Sequence, residues 1–226
     1  MFYEKLVVST NDSKIDLYKT DILQRSMSGH ISLENYVYFL SQAFHHVKHT
    51  VPLMMKMGST LSYSNERFLE SAKDYINEEF GHEKWILGDI ENCGYDAKII
   101  ENEKENFQTE LMISYAYDII NRKNPLSFFG MVYVLEGTSV DLADKAADSI
   151  KSSLGLNNSC FSYLYSHGSI DQKHVKEFQV LMNTVINKDD QDAIICSANK
   201  FFKLYKALFL SIDEPHIDVN TWRLDS

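Results

Sequence analysis

Apolar positions recur along most of this chain at spacings of three and four, the period of an α-helix that buries one face. In residues 12–27, DSKIDLYKTDILQRSM, the apolar set is Ile15, Tyr18, Ile22 and Leu23. Residues 32–57 open with Ser32 as an N-cap and run to Pro52, which should kink or restart the helix. A third helix is predicted over 64–93, ended by Gly94 as its C′ residue, and a fourth over 103–122. The pair NP at 124–125 then introduces a fifth, over 126–154. Ser169 and Gln172 match a capping box, so the next helix is predicted from about Ile170 to 187, with His167 in the turn before it. The last covers 189–212, and the tail from 213 to 226 reads as extended and peripheral.

No segment alternates with period two, and neither repeats nor a Pro-, Gly- or Ser-rich linker divide the chain. The pattern predicts one all-α domain over residues 1–226, a bundle of about seven helices with its core in 12–212. Gly81, Gly130 and Gly137 interrupt predicted helices at a cost of about 1 kcal/mol each against alanine. Such glycines mark bends or close backbone approach.

Composition narrows the partners. The 226 residues carry a net charge of −10, which argues against nucleic acid or an anionic membrane surface as a partner. The three cysteines are isolated and form no CxxC, as expected of inert thiols in a reducing compartment. The N-terminus lacks the apolar core of a signal peptide, and no run of 18 apolar residues is present. A soluble, cytoplasmic protein is expected.

Candidate chemistry lies in three segments. EEFGH places Glu79 and His82 at i, i+3, the Glu-x-x-His spacing that can deliver two ligands to one metal. Glu136 stands in the apolar run FFGMVYVLEG, where a free carboxylate is costly to bury and needs a metal, a basic partner or a proton. SHGSIDQKHVKEF sets His167, Asp171 and His174 on one helical stripe, which reads either as metal ligands or as an ordinary polar face. Three carboxylates and three imidazoles can hold two divalent irons. Manganese suits such mixed N/O donors equally, whereas structural zinc prefers cysteine. His45, His46 and His49 in FHHVKHTVP form a second cluster, from which His46 or His49 could add a ligand or face the substrate.

In that order, EEFGHEKWILGDIENCGYD, VYVLEGTSV and SHGSIDQKHVKEF resemble the ligand-bearing segments of the heme-oxygenase-like diiron oxidase and oxygenase superfamily. Its all-α fold is shared with thiaminase II (the TenA group), pyrroloquinoline quinone synthase (PqqC) and heme oxygenase. The resemblance covers about residues 30–212. It implies a TenA/PqqC-like bundle and metal ligation by Glu79, His82, Glu136, His167, Asp171 and His174. It further implies two irons per chain, cycling between Fe(II) and Fe(III), O2 and a small organic molecule as substrates, and a homo-oligomer. Many members carry a ligand glutamate seven residues before the histidine, where this chain has Tyr75; Glu79 then stands in for it.

The implied activity is that of a non-heme iron-dependent oxidoreductase with an apolar helical pocket. The alternative is a metal-free TenA-like protein that binds or processes a small heterocycle. Thiaminase II would need a pocket cysteine, and no cysteine falls on a matching motif. Heme oxygenase would need an early proximal histidine, for which His30 is the sole candidate.

Overall fold

The computed structural model describes residues 1–62 and 65–224, apart from the side chains of residues 169–171. Among the described residues are eleven α-helices and no strand. They are α1 (Phe2–Tyr18), α2 (Asp21–Met27), α3 (Leu33–Val47), α4 (Thr50–Thr60), α5 (Glu66–Glu79) and α6 (Glu83–Asn92), followed by α7 (Ala97–Asn102), α8 (Phe107–Arg122), α9 (Phe129–Leu154), α10 (Ser162–Met182) and α11 (Lys188–Leu210).

The all-α expectation holds, and the larger helix number has local causes. Three predicted helices are each broken in two, and α7 is short enough to have escaped the periodic pattern. Pro52 cannot donate to the carbonyl of Lys48 and its ring crowds that carbonyl, so the chain breaks at Lys48–His49 and restarts as α4. Ser32 caps α3 by accepting from the Asn35 amide at 3.1 Å. Gly94 follows α6 at φ +86°, the left-handed conformation expected of a C′ glycine.

The long helix α9 runs through the molecule and packs against α2, α10 and α11. With the 3-10 turn before it, Pro125–Leu154 is long and apolar enough to cross a membrane, with a mean hydropathy of 1.2 over its 18-residue apolar window, yet 61% of that window is buried inside the bundle. That is the signature of a core helix. Gly130 lets α9 approach α11 closely: a Cβ there would lie 2.6 Å from the backbone nitrogen of Ala198. No neighbour lies within 4 Å of the corresponding position at Gly137, which is open space.

The tail is not peripheral. Val219 and Trp222 are buried, and the Trp222 indole stacks at 18° on Tyr38 of α3. The amide of Asp96 donates to the Trp222 carbonyl at 2.7 Å, clamping the tail onto the start of α7. Burying an indole offsets the entropy of ordering a short tail, which a polar sequence such as DEPHIDVNTWRLDS did not advertise.

Candidate metal centre

The site forms where α3, α5, α6, α9 and α10 meet, and a broken helix builds its centre. Gly81 adopts φ +96°, a conformation that only glycine takes without strain, and Phe80 is extended. This break separates α5 from α6. It turns Phe80 outward, where it is 72% exposed, and turns Glu79 and His82 inward, where both are buried. The two were expected on one continuous helical face. They converge instead across a kink, with His82 Nδ1 3.0 Å from Glu79 Oε2.

His167 comes to the same point from α10. Glu79, His82 and His167 each offer one donor atom, and these atoms lie within 4.8 Å of one another. Aromatic packing fixes the imidazoles. The indole of Trp85 stacks on His82 at 4.0 Å and 22°, and the ring of Tyr163 meets His167 edge-on at 4.7 Å.

The other oxygen of Glu79 faces a second group. His174 Nδ1 lies 3.8 Å from Glu79 Oε1 and 3.4 Å from Glu136 Oε1. Glu136, buried in mid-α9 as its apolar surroundings required, accepts a short hydrogen bond from the Tyr75 hydroxyl. On the far side of the His174 ring, Nε2 lies 2.6 Å from Glu78 Oε2. Donation from Nε2 to Glu78 leaves the Nδ1 lone pair directed at Glu79 and Glu136, the orientation that metal-binding histidines receive from a carboxylate behind them. Lys173 contacts Glu78 at 2.6 Å, and this bond, together with the His174 contact, holds the Glu78 carboxyl below the usual carboxylate range.

Of the predicted ligands, the fold therefore gathers Glu79, His82, Glu136, His167 and His174. Asp171 lies among the residues whose side chains fall outside the description. The helix that carries them starts at Ser162, well before Ile170, so His167 is helical rather than in a preceding turn. The cause is a cap from elsewhere in the chain. Buried Asp89 of α6 accepts from the Ser162 amide at 2.9 Å and from the Tyr163 amide at 2.8 Å.

The histidines of FHHVKHTVP divide. His46 is buried and lines the cavity beside the site, and neither ring nitrogen has a hydrogen-bond partner in the protein. Burial, with His167 nearby, pushes its imidazole down to about pKa 3, so it is neutral near pH 7. His49 is not at the site: the helix break after Val47 turns it to Tyr117 of α8, Nδ1 to hydroxyl 3.0 Å. His45 is buried beside Lys48, burial and that ammonium lowering it to about 4. Glu78, Trp85 and Tyr163 were not anticipated. The doublet Glu78-Glu79 was visible, but which acid turns inward depends on the kink.

The cavity has a volume of about 130 Å³ and extends along α9 away from the carboxylates. Met131, Leu142, Ile150 and Phe209 are among its mostly apolar walls, and Glu79, Glu136, His167 and His46 bring polar atoms to it.

Residues 37–206 match the family described as iron-containing redox enzymes. The chain belongs to that family. Membership implies iron, bound directly or as heme. Among curated proteins none matches the sequence. Among solved structures, a domain of unknown function with a heme-oxygenase-like fold from Shewanella denitrificans superposes with a TM-score of 0.82 at 22% identity, covering 94% of this chain and 90% of that one. A TenA homologue from Pseudomonas syringae pv. tomato gives 0.81 at 10% identity, over 94% and 93% of the two chains. Heme oxygenase-1 from the cyanobacterium Synechocystis, solved with heme, gives 0.74 at 10% identity, over 94% and 92%. At these identities the likeness is one of fold, and this family member has the heme-oxygenase-like, TenA-like bundle that its sequence segments pointed to.

Proposed function

We propose that this family member is a non-heme diiron oxidase or oxygenase that uses O2 on a small, largely apolar organic molecule. The observation that carries this reading is the Glu79 carboxylate, with one oxygen toward His82 and the other toward His174. A buried carboxylate between two imidazoles, with Glu136 and His167 beside them, fits hard divalent cations with mixed N/O preference. Glu79, His82 and His167 would hold one iron. Glu136, His174 and the second oxygen of Glu79 would hold the other.

Bound iron supplies the redox chemistry, the reduction of O2 coupled to oxidation of the substrate. The protein supplies the setting. Glu78 orients His174, and Trp85 and Tyr163 keep the imidazoles of His82 and His167 from turning away. The apolar walls exclude water and hold the substrate next to the carboxylates. Neutral His46 offers it one donor and one acceptor nitrogen.

Two neighbouring readings find less support. His30, the sole early histidine for a heme, is exposed and bonded to Ser28. Among the described residues no cysteine lines the cavity, as a thiaminase-type nucleophile would. Anaerobic Fe(II) titration of metal-stripped protein, then O2, tests the proposal. Close to two irons per chain and an O2-dependent optical change that Glu136→Ala abolishes are expected. Iron binding no greater than that of Glu136→Ala would overturn it.

A further inference from the structure

We propose that Tyr75 is itself an iron ligand, its phenolate oxygen joining Glu136 and His174 on the second metal once that metal is ferric. This deepens the diiron reading and rests on it. Tyr75 lies one helical turn before Glu79 on α5, so the two side chains share a face. Its hydroxyl meets Oε1 of Glu136, the oxygen that also lies 3.4 Å from His174 Nδ1. Its ring stands beside that of His174, centroids 5.3 Å apart. Tyr75, Glu79 and Glu136 all line the same cavity.

The Tyr75 hydroxyl and the His174 imidazole therefore meet at one oxygen of Glu136, and Glu79 Oε1 lies 3.8 Å from that imidazole's Nδ1. Phenolate is a hard anionic oxygen donor that suits Fe(III), and tyrosine serves as an iron ligand in some heme proteins. Ligation breaks the Tyr75 O–H bond and forms an iron–oxygen bond. The proton leaves to solvent, and the iron keeps its oxidation state in this step. A tyrosine confined to orienting Glu136 would keep its proton and stay off the metal.

The two roles differ in colour. Tyrosinate bound to Fe(III) absorbs visible light by ligand-to-metal charge transfer, and resonance Raman excitation in that band reports phenolate ring vibrations. The test loads metal-stripped protein with Fe(II), admits O2, counts iron and records both spectra. The proposal predicts the band and the ring vibrations in the native chain and loss of both in Tyr75→Phe, with iron still bound at Glu79, His82 and His167. Tyr75→Glu, which keeps an oxygen donor, is expected to retain both irons without the band, and it serves if the phenylalanine variant fails to fold. Two bound irons without the band would overturn the proposal while leaving the diiron reading standing. A band that survives Tyr75→Phe and disappears in Tyr163→Phe would overturn it as well. Failure of the native chain to bind iron would remove the diiron reading and this proposal together.

Discussion

Oε1 of Glu79 lies 3.8 Å from Nδ1 of His174, while its other oxygen accepts the His82 contact at 3.0 Å. One carboxylate thus faces two groups of donors, His82 with His167 on one side and Glu136 with His174 on the other. Glu79→Ala is expected to weaken both irons, whereas Glu136→Ala weakens the one shared with His174. Metal analysis after desalting separates the cases: below one iron per chain for the first, close to one for the second. Equal retention in both would show that Glu79 does not bridge.

On the proposed diiron reading, Glu78 would act on the metal through His174. Outer carboxylates of this kind contribute about ten- to a hundredfold in metal affinity. Glu78→Gln can still accept from Nε2 with its amide oxygen but lacks the charge, so it should fall at the mild end of that range; Glu78→Ala should fall at the severe end. Competition with a chelator of known affinity measures both. If neither variant changes the affinity, the 2.6 Å contact is incidental to binding.

Gly81 sets the kink that turns Glu79 and His82 inward. At φ +96° a side chain costs roughly 1–2 kcal/mol, although a Cβ would meet nothing within 4 Å. Gly81→Ala is therefore expected to lower the melting temperature by several degrees and to loosen metal binding more than the stability loss alone explains. Gly130→Ala, where the obstacle is the α11 backbone, should cost about 1–3 kcal/mol with metal affinity nearly unchanged. Thermal melts with parallel iron titrations distinguish the two glycines.

Much of this site was legible because its chemistry violates the local pattern. Glu136 stands in an apolar run, and the histidines of α10 repeat at a helical spacing, so the residues that the fold gathers here, Asp171 outside the described side chains apart, could be named as candidates before any contact was known. What escaped was set by distant parts of the chain. Asp89 on α6 fixes where α10 begins, and no local signal near Ser162 announces it. Gly81, like Gly130 and Gly137, marks a bend or a close approach in the sequence, but which of these it is, and which side chains it turns inward, depends on the fold. His46 and His49 seemed equivalent, and the break that Pro52 imposes sent them to opposite sides. Trp222 is held by Tyr38 and Asp96, both far away in sequence.

Buried neutral histidines make the metal-free fold sensitive to acid. His46 has its pKa lowered from about 6.5 to about 3, so between those pH values the unfolded chain takes up a proton that the folded chain refuses. Its effect on stability is absent above pH 6.5 and grows as the pH falls toward 3. At pH 4.5 the penalty is on the order of 3 kcal/mol. Urea unfolding of metal-free protein at pH 7 and pH 4.5 should show a smaller loss for His46→Leu than for the native chain. An equal loss would mean that His46 is not the neutral, desolvated group its burial implies.

The central claim is that two irons lie on either side of Glu79. Anomalous X-ray diffraction at the iron edge, from crystals loaded with Fe(II) without oxygen, tests it most directly. The account predicts two peaks per chain, one among Glu79, His82 and His167 and the other between Glu136, His174 and the second oxygen of Glu79. A single peak, or iron held elsewhere while Glu79 keeps only its histidine contacts, would contradict it.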